Sequence, residues 1–131
     1  IAHPERNLAL TRHPSILYEL VARGAVTQLT AASFTGGSRS AAAAARAFLT
    51  KGCVHLVATD AHSSARRPPL LAEACRQVVK LAGQARSVEL VSDNPLRVLQ
   101  GKALETAKIE CTHQSRRSLL QRLKQLVSRE G

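Results

Sequence analysis

Apolar positions follow two rhythms along the chain, and their alternation predicts its architecture. Short aliphatic runs at Ile1-Ala2, at 26–31 and at 53–59 (CVHLVAT) are dense in β-branched residues and bounded by turn residues, so they read as strands. Between them, apolar residues recur at helical spacing. Ile16, Leu17, Leu20 and Val21 follow Pro14, a good first-turn residue, and Gly24 suits the carboxyl-terminal cap. The stretch between IAHPERN and Pro14 reads as polar, and 33–38 (SFTGGS) as a turn with capping hydroxyls. An alanine-rich helix then runs to Thr50 and stops at Gly52; its small side chains allow close packing on a sheet. After a loop over 61–67, Pro68-Pro69 is expected to open a helix with Leu70, Leu71, Ala74, Cys75, Val78, Val79 and Ala82 on one face and Gly83 as its stop. A short helix follows to Val91. Ser92-Asp93-Asn94-Pro95 reads as the cap of the next helix, which carries Leu96, Val98 and Leu99 and ends at Gly101.

Strand, helix, strand, helix, strand and then helices is the order of an α/β protein with parallel strands. Right-handed crossovers bring the carboxyl ends of such strands to one rim. His3, the turn at Thr30–Ser33, Asp60 and His62 are therefore expected to share it, where α/β folds collect ligands and catalytic groups. Three strands make only part of a sheet or barrel. Ile1 opens inside a strand-like stub without an initiator Met, so we expect a fragment whose amino-terminal part lies outside this sequence. The lack of a leader is then uninformative.

Residues 102–131 differ in character. Leu119, Leu120, Leu123, Leu126 and Val127 mark one helical face, with Arg116, Arg117, Arg122, Lys124 and Arg129 elsewhere. This predicts a basic amphipathic helix, set against its own domain, a partner or an anionic membrane surface. The formal charge of +10 over 131 residues favours phosphorylated ligands, polyanions or acidic surfaces. Aromatic residues are too few to stack bases and there is no reader motif, which argues against a nucleic-acid module. Cys53, Cys75 and Cys111 lack metal or redox spacing and suit reduced thiols.

The candidate chemistry sits in the phrase VHLVATDAH. Asp-x-His at a strand end, a distant His3 and several arginines suit a divalent metal with a phosphorylated ligand: imidazole and carboxylate are ligands for Zn, Mn or Fe, and guanidinium grips phosphate oxygens in a planar fork. From spacing alone, a loop Asp capping a turn beside an exposed His is the stronger reading. His55 within the strand is expected to be packed or hydrogen-bonded, and His13 and His113 solvated. Cys111 and Arg117 formally satisfy Cys-x5-Arg, but Gln114, Glu110 and the polar context do not suit a thiolate phosphate loop.

In order along the chain, IAHPERN, SFTGG, VHLVATDAHSSARRPPLLAEA and DNPLRVLQG resemble the bacterial capsular-polysaccharide-type tyrosine phosphatases of the PHP (polymerase and histidinol phosphatase) superfamily. The likeness runs from Ile1 to about Gly101, and TDAH followed by RPP is its most specific part. It implies residues 1–101 as the carboxyl-terminal part of a distorted (β/α)7, TIM-like PHP barrel, and 102–131 as the basic helical tail beyond it. It further implies a cytoplasmic, manganese-dependent enzyme, with Fe, Zn or Mg as alternative metals, that dephosphorylates the tyrosine-rich tail of a bacterial autokinase in capsule and exopolysaccharide synthesis. His3, Asp60 and His62 would be metal ligands; Arg6, and Arg66 or Arg67 before Pro68, would contact substrate phosphate, with Arg6 and Arg67 in the catalytic set. Glu5 would make a salt bridge or support the ligands.

The departures are specific. The family's amino-terminal His-x-His motif and bridging glutamates have no counterpart here, and Gly36-Gly37-Ser38 stands where the family has a Gly-x-Phe-Gly arrangement. Three ligands do not hold three metals, so the chain alone is expected to be inactive without the missing half of the barrel. The rival readings are another PHP phosphoesterase acting on a small phosphomonoester and a non-catalytic basic interaction module.

Overall fold

The computed structural model describes residues 1–64 and 69–104, so Arg66, Arg67, Cys111, His113 and the predicted tail helix lie outside the described residues. Two strands form the sheet, β1 (Gln28–Thr30) and β2 (Leu56–Ala58). They pair in parallel with Gln28 opposite Leu56 and Thr30 opposite Ala58. The strand expected at the amino terminus is present only as a single parallel bridge from Ala2 to Gln28. Its ladder is cut short because His3 turns into the left-handed region, with φ 38° and ψ 53°.

Both strands are shorter than the aliphatic runs that encode them. At the start of β2 the amides of His55 and Leu56 both donate to the Thr27 carbonyl, each at 3.0 Å. The Leu56 bond is the regular rung and His55 shares its acceptor, but the Thr27 amide turns to His55 Nδ1 and not to a backbone oxygen, so regular pairing ends there. Cys53, Val54 and His55 still pass through the core, fully buried.

The 3-10 turn Pro4–Arg6 leads into α1 (Leu8–Arg12), a helix formed by the stretch that reads as polar and to which the sequence assigned no element. Asn7 explains it: its side chain accepts from the Leu10 amide at 3.1 Å, capping a segment whose single inward residue is Leu10. Helix α2 (Pro14–Ala22) buries Ile16, Leu17 and Val21 and ends at Gly24, whose φ is 95°. The SFTGGS turn instead holds a short helix, α3 (Ala32–Thr35), closed by the Gly36 and Gly37 amides, which both donate to the Ala32 carbonyl. A Cβ on Gly37 would stand 3.1 Å from that oxygen and 3.3 Å from Ser33 Cα, tighter than an ordinary contact, so a larger residue there would push on the backbone of α3. In α4 (Arg39–Thr50), Ser38 caps the Ala41 amide, and Ala41, Ala45, Phe48 and Leu49 face inward.

Helix α5 (Ala72–Ala82) begins later than Pro68-Pro69 suggested; Leu70 stays out of it and is 73% exposed, and Ala82 is exposed as well. Ala74 and Val78 are its buried residues. Beyond Gly83 the chain runs through α6 (Gln84–Val88), a π-helical segment Glu89–Asp93 and α7 (Asn94–Leu99) without leaving helical conformation. The expected Ser92-Asp93 cap is therefore absent: Asp93 is helical and its side chain caps nothing. Pro95 has no amide to return to the preceding turn, and the wider π spacing occupies that turn. Ile16, Leu17, Val21, Leu29, Phe48, Val54, Val78 and Leu90 join strands and helices in one core, with Tyr18 edge-on to Phe48 at 6.5 Å between ring centroids.

Candidate functional site at the strand ends

The bridge at Ala2 and strand β2 both lead into left-handed turns at residues the sequence singled out. His3 (φ 38°) follows Ala2, and Asp60 (φ 56°) lies two residues beyond β2. These two are the non-glycine residues with positive φ among those described. Side chains other than glycine reach this region only at a cost of about 1–2 kcal/mol, and such strain concentrates where a site must hold a side chain in a set direction.

The rim expected from the strand order forms. Arg6, on the turn that His3 opens, places Nη1 3.4 Å from Asp60 Oδ2, joining segments 54 residues apart. Both side chains keep solvent contact, 38% for Arg6 and 22% for Asp60. At such exposure the pair contributes little to stability, so its meaning is positional. His62 folds back on the same loop. Its Nδ1 lies 2.7 Å from the Asp60 carbonyl and 3.9 Å from Asp60 Oδ1. A ring that donates from Nδ1 to a carbonyl carries its lone pair on Nε2. That is the tautomer, fixed by a hydrogen bond from the other ring nitrogen, in which proteins present histidine to a metal. The donors thus fit a divalent cation in type and, for His62, in tautomer.

They do not yet form a closed cage. Among the described residues, no three His, Cys, Asp or Glu side chains come close enough together to hold a metal ion. Asp60 and His62 are adjacent, whereas His3 belongs to the rim through its turn. Arg66 and Arg67 lie outside the described residues.

Beneath the rim lies Glu5, buried to 1% exposure. Its Oε1 accepts from the Thr30 amide at 3.0 Å and from Ser33 Oγ at 2.8 Å. No basic residue pairs with it among these contacts, so the expected salt bridge gives way to neutral donors. Farther from the rim, His55 is buried as alternation suggested, with the Thr27 amide donating to its Nδ1 at 3.1 Å. Burial first, and the Arg86 guanidinium second, push its pKa below the ordinary histidine range. Asn94 Nδ2 donates to the His55 carbonyl at 2.9 Å and Arg86 donates to the Val54 carbonyl, tying the last helices to the strand. The sequence signalled neither anchor, because both target backbone oxygens.

The fold makes this chain a parallel α/β protein. Residues 1–100 match the family model described as capsular polysaccharide synthesis, CpsB/CapC, and the chain belongs to that family. It is 43% identical over 65 residues to the tyrosine-protein phosphatase YwqE of Bacillus subtilis, a match covering 48% of this chain and 25% of that protein. It is 32% identical over 110 residues to the tyrosine-protein phosphatase CpsB of Streptococcus pneumoniae, covering 79% and 45%. The fold superposes with a TM-score of 0.74 and 31% identity on a chain from the crystal structures of YwqE from Bacillus subtilis and CpsB from Streptococcus pneumoniae, described as unique metal-dependent tyrosine phosphatases. That match covers 83% of this chain and 44% of the solved one. The chain therefore spans less than half the length of these relatives.

Proposed function

We propose that this chain forms one wall of the active site of a metal-dependent protein-tyrosine phosphatase acting in capsular polysaccharide synthesis. The observation that carries the reading is the rim itself: Asp60, at a strained strand end, faces Arg6 across the sheet and holds His62 with its Nε2 lone pair available. His3, Asp60 and His62 would bind the metal, with manganese the preferred ion and Fe, Zn or Mg as alternatives. When bound, the metal supplies a hydroxide at neutral pH and stabilises charge on the transferring phosphoryl group.

This chain's own residues do the rest. Arg6, already held beside Asp60, directs a planar fork at phosphate oxygens, and Arg66 or Arg67, which follow His62 in the sequence, would supply a further guanidinium to the same phosphate. Asp60 has two oxygens, so one carboxylate serves both Arg6 and the metal side of the rim. The remaining ligands belong to parts of the PHP barrel that these residues do not include. The substrate is the phosphotyrosine tail of a bacterial tyrosine kinase, reached in the cytoplasm. By its charge and leucine spacing, the basic segment 102–131 would suit a partner or an anionic membrane surface as well as its own domain. Among the described residues no helix is long and apolar enough to cross a membrane.

The full polypeptide carrying this sequence should release phosphate from a phosphotyrosine peptide, lose that activity to a chelator, regain it with manganese and resist thiol alkylation. Activity that survives chelation but not alkylation would instead assign the reaction to a cysteine thiolate, and this reading would be wrong.

A further inference from the structure

We infer that Glu5 is a positioning residue whose carboxylate replaces a missing rung of the sheet and thereby sets the His3–Arg6 turn on the rim. The inference rests on the functional reading above for its consequence, and on the ladder for its argument.

In a parallel ladder alternate residues of a strand bond to opposite neighbours. Just past β1, the amide of Ala31 donates to the Ala58 carbonyl and so faces β2. Gln28 faces the other way: its amide donates to the Ile1 carbonyl at 3.0 Å and its carbonyl accepts from the His3 amide at 2.8 Å. Continued by one step, the same ladder would send the Thr30 amide to the His3 carbonyl. That carbonyl is already taken, because His3 has turned left-handed and accepts from the Arg6 amide at 3.0 Å. The amide of Thr30, a fully buried residue, would then be an unmet donor cut off from water, which the fold does not leave uncompensated.

Glu5 Oε1 meets it instead, at 3.0 Å, and takes the Ser33 hydroxyl with the same oxygen. The side chain thus stands where the third backbone rung would be. The consequence concerns direction. With the rung supplied by Glu5, the chain leaves the sheet one residue early, His3 can hold φ 38°, and Arg6 arrives 3.4 Å from Asp60. Without it, the backbone gains by returning the His3 carbonyl to Thr30, which would unwind the turn that carries both side chains. Both partners are donors, so the role needs an acceptor oxygen and not a charge.

The test compares Glu5→Ala, Glu5→Gln and Ser33→Ala in the full chain. Amide hydrogen exchange of Thr30 should quicken at least ~10-fold in Glu5→Ala relative to Val57 in β2, and stay near the wild-type rate in Glu5→Gln. Manganese retained after dialysis should fall in Glu5→Ala and recover in Glu5→Gln. Should Glu5→Ala not fold, Ser33→Ala, which removes one of the two donors but leaves a folded chain with a somewhat lower melting temperature, should still weaken manganese retention, and wild-type retention in it would overturn the inference. Wild-type Thr30 protection in Glu5→Ala, or a Glu5→Gln that behaves as Glu5→Ala, overturns the inference. The exchange readout needs neither metal nor substrate, so a wild-type chain that binds no manganese would count against the functional reading alone.

Discussion

His3 and Asp60 show what the rim asks of single residues. Each occupies a left-handed conformation that glycine adopts without strain, yet each carries a side chain with ligand chemistry. His3 is exposed, and its amide and carbonyl make its backbone bonds. His3→Gly should therefore hold or raise stability, by up to about 1 kcal/mol, while removing a metal ligand. Chemical denaturation paired with metal analysis checks both halves: a variant clearly less stable than wild type would mean that the imidazole has a packing role. Asp60 was legible as a ligand candidate from VHLVATDAH, but its pairing with Arg6 was not, because nothing in sequence spacing measures a contact across 54 residues. Glu5 was legible only as a neighbour of the HPER phrase. Its burial follows from a ladder rung that the amino-acid order does not display.

At the scale of elements, His55 ties β1 to β2 and, through its carbonyl, to Asn94 at the start of α7. The ring accepts from the Thr27 amide, so its neutral form is built into the junction. Burial and Arg86, with Glu89 opposing, keep its folded pKa below the unfolded value. A lowered folded pKa means stability that is fully present above the unfolded pKa of about 6.5 and is lost as pH falls from there through the folded value. Wild-type urea midpoints should thus drop between pH 7.5 and 5. In His55→Asn, whose side-chain oxygen can also accept from Thr27, that fall should be much smaller. Equal falls in both proteins would assign the pH sensitivity elsewhere. The helices were read well where a periodic apolar face and a cap coincide, as in α2 and α4. They were misread where tertiary demands override local signals. Asn7 turned a polar stretch into α1, and the π segment carried the chain straight through Ser92-Asp93, which looked like a cap. The strands were over-long in the sequence reading because aliphatic density reports burial, and Cys53, Val54 and His55 are buried beyond the point where pairing stops.

For the whole molecule, the order of strands and helices was enough to bring His3, the turn after β1 and Asp60 to one rim, since parallel strands share the direction of their ends. What the order cannot supply is the rest of a cage, and the chain matches less than half the length of its solved relative. The central claim is that this rim binds a metal through Asp60 and addresses phosphate through Arg6. The most direct measurement is manganese content after dialysis, in the full polypeptide, for wild type, Asp60→Ala and Arg6→Ala, with phosphotyrosine-peptide affinity measured on each. The account predicts that Asp60→Ala loses metal, while Arg6→Ala keeps it and binds the peptide more weakly. Wild-type manganese in Asp60→Ala, or loss of metal in Arg6→Ala with peptide affinity unchanged, would contradict it.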